Sequence, residues 1–188
     1  MRERSERSLP RTNRLKEEIS LKRMLPVGTV GAHLWVQWIM LGSMLLNTFM
    51  VYPNIFRDIP DSLTGAMDFM QVASPHTYFP PLGLASWVTG VVAIWFSWNM
   101  KQARLLVIAS VLMMFAEGAA SVLWEWPRNE IMFIEGPAVH SADALQQAYN
   151  EFMIVHWFRV LCNGAGSLLI FFGFLKVYRS SIQGATHG

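Results

Sequence analysis

Three ionisable residues, Glu117, His156 and Arg159, fall inside long apolar stretches, and their spacing puts them on definite helix faces. His156, Arg159 and Asn163 recur at i, i+3 and i+7, which is one face of a helix. Glu117, Ser121 and Glu125 form a similar stripe at i, i+4 and i+8, and Asn47 lies near the end of an earlier apolar run. A charge at the centre of a bilayer costs about 2.5–3.5 kcal/mol even on insertion scales. Glu117 and Arg159 are therefore expected to face inward and pair, with His156 and Asn47 close by. A histidine beside a guanidinium and a carboxylate could move a proton and hold developing negative charge. The simpler alternative is a pair that only fixes helix register, with asparagine bonding across helices.

The elements that must carry these groups follow from how charge is distributed. Of 188 residues, 53% are hydrophobic and 15% charged, and nearly all of the charge falls in four zones: before residue 30, 53–68, 125–151 and the far C-terminus. Between those zones lie runs long enough for the roughly 20 helical residues that hydrocarbon requires. The expected architecture is all-α: a four-helix transmembrane bundle, up-down-up-down, with a long fourth helix. Its spans are 30–52, 80–99, 105–124 and 150–177 within a membrane domain of residues 30–178, followed by a tail, 179–188.

Residues 1–29 are basic, disordered before Leu9, and their Leu15, Ile19, Met24 and Leu25 suggest an amphipathic helix on the membrane surface. A short helix opened by Asp61 or Ser62 is expected between spans one and two, and Pro80-Pro81 marks the start of span two. Pro127–His140 reads as a polar loop, after which Ser141 can cap the last helix, ending near Tyr178.

Eight Lys and Arg precede the first span, two (Lys101, Arg104) sit in the turn between spans two and three, and two (Lys176, Arg179) close the fourth. Only Arg57 and Arg128 belong to the opposite side, so the positive-inside rule puts both termini in the cytoplasm, across an inner (plasma) membrane if the source is bacterial. The lone Cys162 excludes a CxxC redox pair. A net charge of +2 gives no reason to expect a nucleic-acid partner.

Other candidates have ordinary readings. His33 reads as interfacial, and His76 and His140 as solvated loop residues able to fold over the bundle mouth. His33 and His156 lie near opposite faces, too far apart to share a haem. The strings Met40, Met44, Met50 and Met113, Met114 read as adaptable packing. His156 with Glu117 and one loop histidine would be the smallest metal set, and no metal site is assigned.

Pro127-Arg128-Asn129-Glu130-Ile131, followed by His156-Trp157-Phe158-Arg159, resembles a short signature in a family of small four-helix membrane proteins. That family is largely of unknown function and includes the fungal anthrone oxygenases. Val51-Tyr52-Pro53 and Tyr78-Phe79-Pro80-Pro81 are similar to the region between its first two spans, and the likeness covers residues 30–178. The resemblance implies an oxygenase-like oxidoreductase acting on a lipophilic aromatic or quinone-like molecule, with dioxygen as co-substrate and no cofactor assigned. It carries over Asn129, His156 and Arg159, with His156 as base and Arg159 holding the resulting oxyanion. With the polar groups read above, the expected catalytic set is His156, Arg159, Glu117 and Asn129, and the expected substrate contacts are Asn47, Ser121 and Asn163. Two other readings compete: a non-catalytic subunit docking on a larger membrane complex or a second copy, and a metal-binding membrane protein. A channel is disfavoured because the polar stripe does not continue to the cytoplasmic side.

Overall fold

Every element among the described residues is helical, and several helix starts have a local cause. The computed structural model describes the backbone of residues 11–186 and the side chains of residue 21 and residues 24–183. Helix α1 (Arg11–Leu46) passes through a π-helical turn, Asn47–Val51, into α2 (Tyr52–Ile55). Next comes α3 (Asp61–Phe69), which begins where the sequence placed a short helix. Ser74 opens α4 (Pro75–Phe96): its N–H donates to Thr77 Oγ1 at 3.0 Å, and Pro75 takes the first position, where no N–H is needed.

A tight turn then reverses the chain, secured by the Arg104 Nη1 bond to Trp98 O (3.0 Å) and by the guanidinium lying 4.5 Å over the Trp98 ring. Helix α5 (Lys101–Ala120) continues through a π turn (Ser121–Glu125), α6 (Trp126–Asn129) and a second π stretch (Glu130–Glu135). A 3-10 turn over Gly136–Ala138 reverses the chain again. There Gly136 has φ +58° and ψ −158°, a backbone region open essentially to glycine alone. The Ala144 N–H donates to Ser141 Oγ at 3.3 Å, capping α7 (Ala142–Thr186).

Four stretches are long and apolar enough to cross a membrane: Met24–Ile55, Pro75–Phe96, Lys101–Ala138 and Ala142–Gln183. The chain is a multi-pass integral membrane protein whose four long helices form an antiparallel bundle. Helix α1 packs on α4 and α7, and α5 on the same two. Large apolar side chains such as Trp35, Phe49, Trp95, Leu105, Ile154 and Leu161 cover the outside, as contact with lipid requires.

Several boundaries differ from the sequence reading. Arg11 to Leu46 is one helix, so no break separates a surface helix from the first span. The side chains of Leu15 and Ile19, and the stretch before Leu9, lie outside the described residues. Span two starts at Pro75, because the Ser74 cap precedes Pro80-Pro81, and those prolines fall inside the helix. The segment expected as a polar loop after Pro127 is helical to Glu135, since Pro127 sits in the first turn of α6, where its missing N–H is harmless. The fourth helix continues past Tyr178 to Thr186.

Two apolar cores result. Towards the end that carries the termini, Val30, Leu34, Ala93, Ala103, Val107, Ile170 and Val177 pack together. At the α3 end, Tyr52, Phe56, Leu63, Met132, Leu145 and Phe152 form a cap built from α2, α3, the second π stretch and the first turns of α7.

Candidate functional site

Arg159 on α7 lies between the two cores and bonds two carboxylates. Its Nε and Nη2 donate to Glu117 Oε1 at 3.1 and 2.8 Å, and Nη1 donates to Glu125 Oε2. All three residues are buried, at 5%, 3% and 6% exposure for Glu117, Glu125 and Arg159. The expected Glu117–Arg159 pair is therefore present, with Glu125 as a third member. Because both nitrogens that reach Glu117 bond Oε1, Oε2 remains without a protein partner.

The π turn explains why Glu125 joins Glu117. Eight residues of regular helix overshoot two full turns by about 80° at 3.6 residues per turn, and a wider turn removes that drift. Arg128 braces the same region from α6, its Nε and Nη2 donating to Glu151 Oε2 on α7 at 2.9 and 2.7 Å.

His156 is one turn from Arg159 and only 1% exposed. Its Nε2 lies 2.8 Å from Thr48 Oγ1, while Thr48 donates to Met44 O at 2.7 Å. With the hydroxyl proton given to Met44, Nε2–H is the donor and Nδ1 is left as an acceptor. Nδ1 faces Glu125 Oε1 across 3.6 Å, and neither atom has a hydrogen-bond partner. The ring is clasped by Phe152, parallel at 5.9 Å, and by the Tyr52 ring, edge-on at 4.8 Å.

Beside this cluster lies a cavity of about 260 Å³. Glu117, Glu125, Arg159 and Ser121 form its polar wall, and Met40, Tyr52, Phe79, Leu84, Trp87 and Trp126 much of the remainder. Trp87 lies flat against Phe115 (4.9 Å, 14°) and over Gly118, where a Cβ would come within 2.6 Å of the indole. A second cavity, about 650 Å³, adjoins it towards α3 and carries Asp68, Gln71 and Glu130. Tyr52, Pro75, His76, Trp126 and Asn129 line both, with His76 edge-on to Trp126 at 5.3 Å.

No protein-family model matches the chain, and no curated protein or solved structure does. What the site can do has to be read from its own geometry.

The expected site residues divide into three groups. Glu117, Arg159, Ser121 and Asn129 reach the cavity wall, Asn129 from helix α6 and not from a loop. His156 belongs to the cluster but lies behind Glu125 and is not among the residues that line the cavity. Asn47 and Asn163 miss the site. Asn47 is half-buried and about 100° of helix from its neighbour Thr48, which is buried against His156 and takes the place assigned to it. Asn163 is fully buried one turn deeper, with both amide atoms unpartnered.

His33 is likewise fully buried inside the bundle, its Nδ1 3.1 Å from Thr89 Oγ1. With Gln37, which donates to Ser86 Oγ at 3.2 Å, and Ser167, it carries the polar stripe further towards the termini than the sequence suggested. His76 is a cavity residue, and His140 pairs with Glu135 at the cap. Among the described residues, no group of three His, Cys, Asp or Glu side chains could hold a metal ion.

Thr48, Tyr52, Trp87 and Trp126 were missed by sequence reasoning, His76 was seen only as a loop histidine over the bundle mouth, and Glu125 only as part of a stripe. Thr48, Tyr52, His76 and Trp126 lie within five residues of the prolines at 53, 75 and 127, at helix starts; Trp87 has no such signal.

Proposed function

We propose that the chain is an oxidoreductase of the bilayer that binds a lipophilic aromatic molecule in the smaller cavity and oxidises it with dioxygen. One observation carries the reading: Glu117, whose Oε2 has no protein partner, lines a cavity whose remaining wall is largely apolar and aromatic. A carboxylate oxygen in such a setting is a proton acceptor for an acidic C–H or O–H. The motif resemblance supplies the reaction class. For a diaryl methylene the balance is R2CH2 + O2 → R2CO + H2O. One oxygen atom enters the substrate as a carbonyl, and the other leaves as water with the two hydrogens removed.

In this reading Glu117 takes the first proton and Arg159 fixes the carboxylate, while Asn129 and Ser121 offer hydrogen bonds from the wall. His156, held by Thr48, packs behind Glu125 and stays out of the proton transfer. Arg159 is already engaged by two carboxylates, so it orients the base more than it receives an oxyanion. Lipid delivers both the substrate and dioxygen. We infer from the charge asymmetry that the α3 end faces away from the cytoplasm.

The test is oxygen uptake by the purified chain in nanodiscs supplied with an anthrone, measured against protein-free nanodiscs. Uptake above that background, one dioxygen per carbonyl product and lost in Glu117→Gln, is expected. Uptake equal to the background would refute the reading.

A further inference from the structure

The two adjoining cavities share one electrostatic character. Between them they present the carboxylates of Glu117, Glu125, Asp68 and Glu130 against a single guanidinium, that of Arg159. That guanidinium already bonds two of the four. Glu117 is 95% buried by its 5% exposure, yet one of its oxygens is unpaired at the cavity. Aromatic faces surround the space: Trp87, held flat by Phe115, together with Tyr52 and Trp126.

A carboxylate oxygen without a protein partner, on a largely buried side chain that lines a cavity, calls for a donor or a positive charge, and aromatic faces attract cations within about 6 Å of the ring centroid. An anion would meet unpaired carboxylate and π-faces in a poorly solvated site, with nothing left to neutralise it.

We propose that this cavity selects by charge: it takes a lipophilic aromatic molecule bearing a positive group, such as a protonated amine or quaternary ammonium, and rejects the matching anion. The inference names the substrate class of the site proposed above and rests on that cavity being the ligand site. The positive group sits beside the Glu117 carboxylate with its adjacent C–H towards Oε2, the aromatic part lies on Trp87, and longer substituents extend past the His76–Trp126 pair towards Asp68 and Glu130. The larger cavity is then a path that also favours cations.

Three probes of nearly equal size separate charge from shape: trimethylphenylammonium, its uncharged isostere tert-butylbenzene, and benzenesulfonate. Binding is measured calorimetrically on the full chain in zwitterionic nanodiscs, against empty nanodiscs. Trimethylphenylammonium is expected to bind roughly tenfold tighter than tert-butylbenzene, as a desolvated cation–π contact alone would give, and benzenesulfonate not at all. Glu117→Gln should abolish the cation preference and leave tert-butylbenzene bound.

Since Glu117→Gln also disturbs the ion pair, Trp87→Leu provides a variant that leaves all the charges in place. It should weaken the cation several-fold more than the neutral isostere. Equal affinities for all three probes, or tighter binding of benzenesulfonate, would overturn the proposal, as would a cation preference unchanged in both folded variants. Neutral binding with oxygen uptake but no cation preference would sink this inference and leave the oxidoreductase reading intact. Cation binding without oxygen uptake would do the reverse.

Discussion

The two ends of the bundle solve the burial of polar groups in different ways. At the α3 end the polar groups are charged, connected and set beside open space: Arg159 reaches two carboxylates, and His156 reaches Thr48. Towards the termini they are uncharged and sparsely connected. Gln37 Oε1, His33 Nε2, Ser167 Oγ and both amide atoms of Asn163 have no protein partner. Backbone geometry follows the same division. Three π-helical stretches (Asn47–Val51, Ser121–Glu125 and Glu130–Glu135) lie at the α3 end, while α4 and the remainder of α1, α5 and α7 are regular.

A regular helix packs closely, as where the glycines at 31 and 173 sit against Phe174 and Val107. A π turn spoils such packing but re-aims side chains, and such turns are frequent at functional sites. The difference teaches that the α3 end gives up close packing to assemble a cluster and a cavity, and that the other end holds the helices together.

The sharpest way to break this comparison is to cut the charged network. Arg159→Gln leaves two buried carboxylates uncompensated and should destabilise the bundle by about 3–5 kcal/mol in a denaturant titration of the detergent-solubilised chain. Glu117→Gln should cost less, because Arg159 keeps Glu125. The double variant should cost less than the sum of the two singles; strict additivity would mean that the residues act independently.

Gly136→Ala comes next. It forces a side chain into a glycine-only conformation, where its Cβ would lie 2.8 Å from Met67 Sδ. A loss of about 1–3 kcal/mol is expected. Hydrogen exchange should localise the effect to α3 and the cap, and exchange rising equally around Val107 would contradict the division into two cores.

A smaller effect separates two neighbours. Thr48→Val removes the partner of His156 and should cost about 0.5–1.5 kcal/mol. Asn47→Ala should shift stability by no more than about 0.5 kcal/mol. The opposite ranking would put Asn47, and not Thr48, in the cluster.

The smallest change is expected at the other end. Asn163→Leu replaces the unpartnered amide by a similarly branched but bulkier apolar group; the loss of an unsatisfied group offsets the cost of the added volume, so stability should move by less than about 1 kcal/mol, in either direction. A loss as large as that of Arg159→Gln would show the inner polar groups to be as tightly connected as the outer ones.

The sequence by itself determined the four spans, the antiparallel bundle, the short helix at Asp61, the Ser141 cap and the Glu117–Arg159 pair. These depend on hydropathy, on local capping chemistry and on the cost of burying a lone charge, all of which act along the chain. Only the tertiary structure decided that Glu125 completes the cluster, that Thr48 displaces Asn47, that His156 stands behind the cavity wall, and that His76 and Trp126 separate two cavities. Those facts depend on rotation about helix axes, and the π turns change that rotation without altering the apolar pattern from which the spans were read. The closing of the helical loop after Pro127 and the flat seat of Trp87 on Gly118 have the same origin: each is set by a neighbouring helix, and neither has a periodic signal in its own segment.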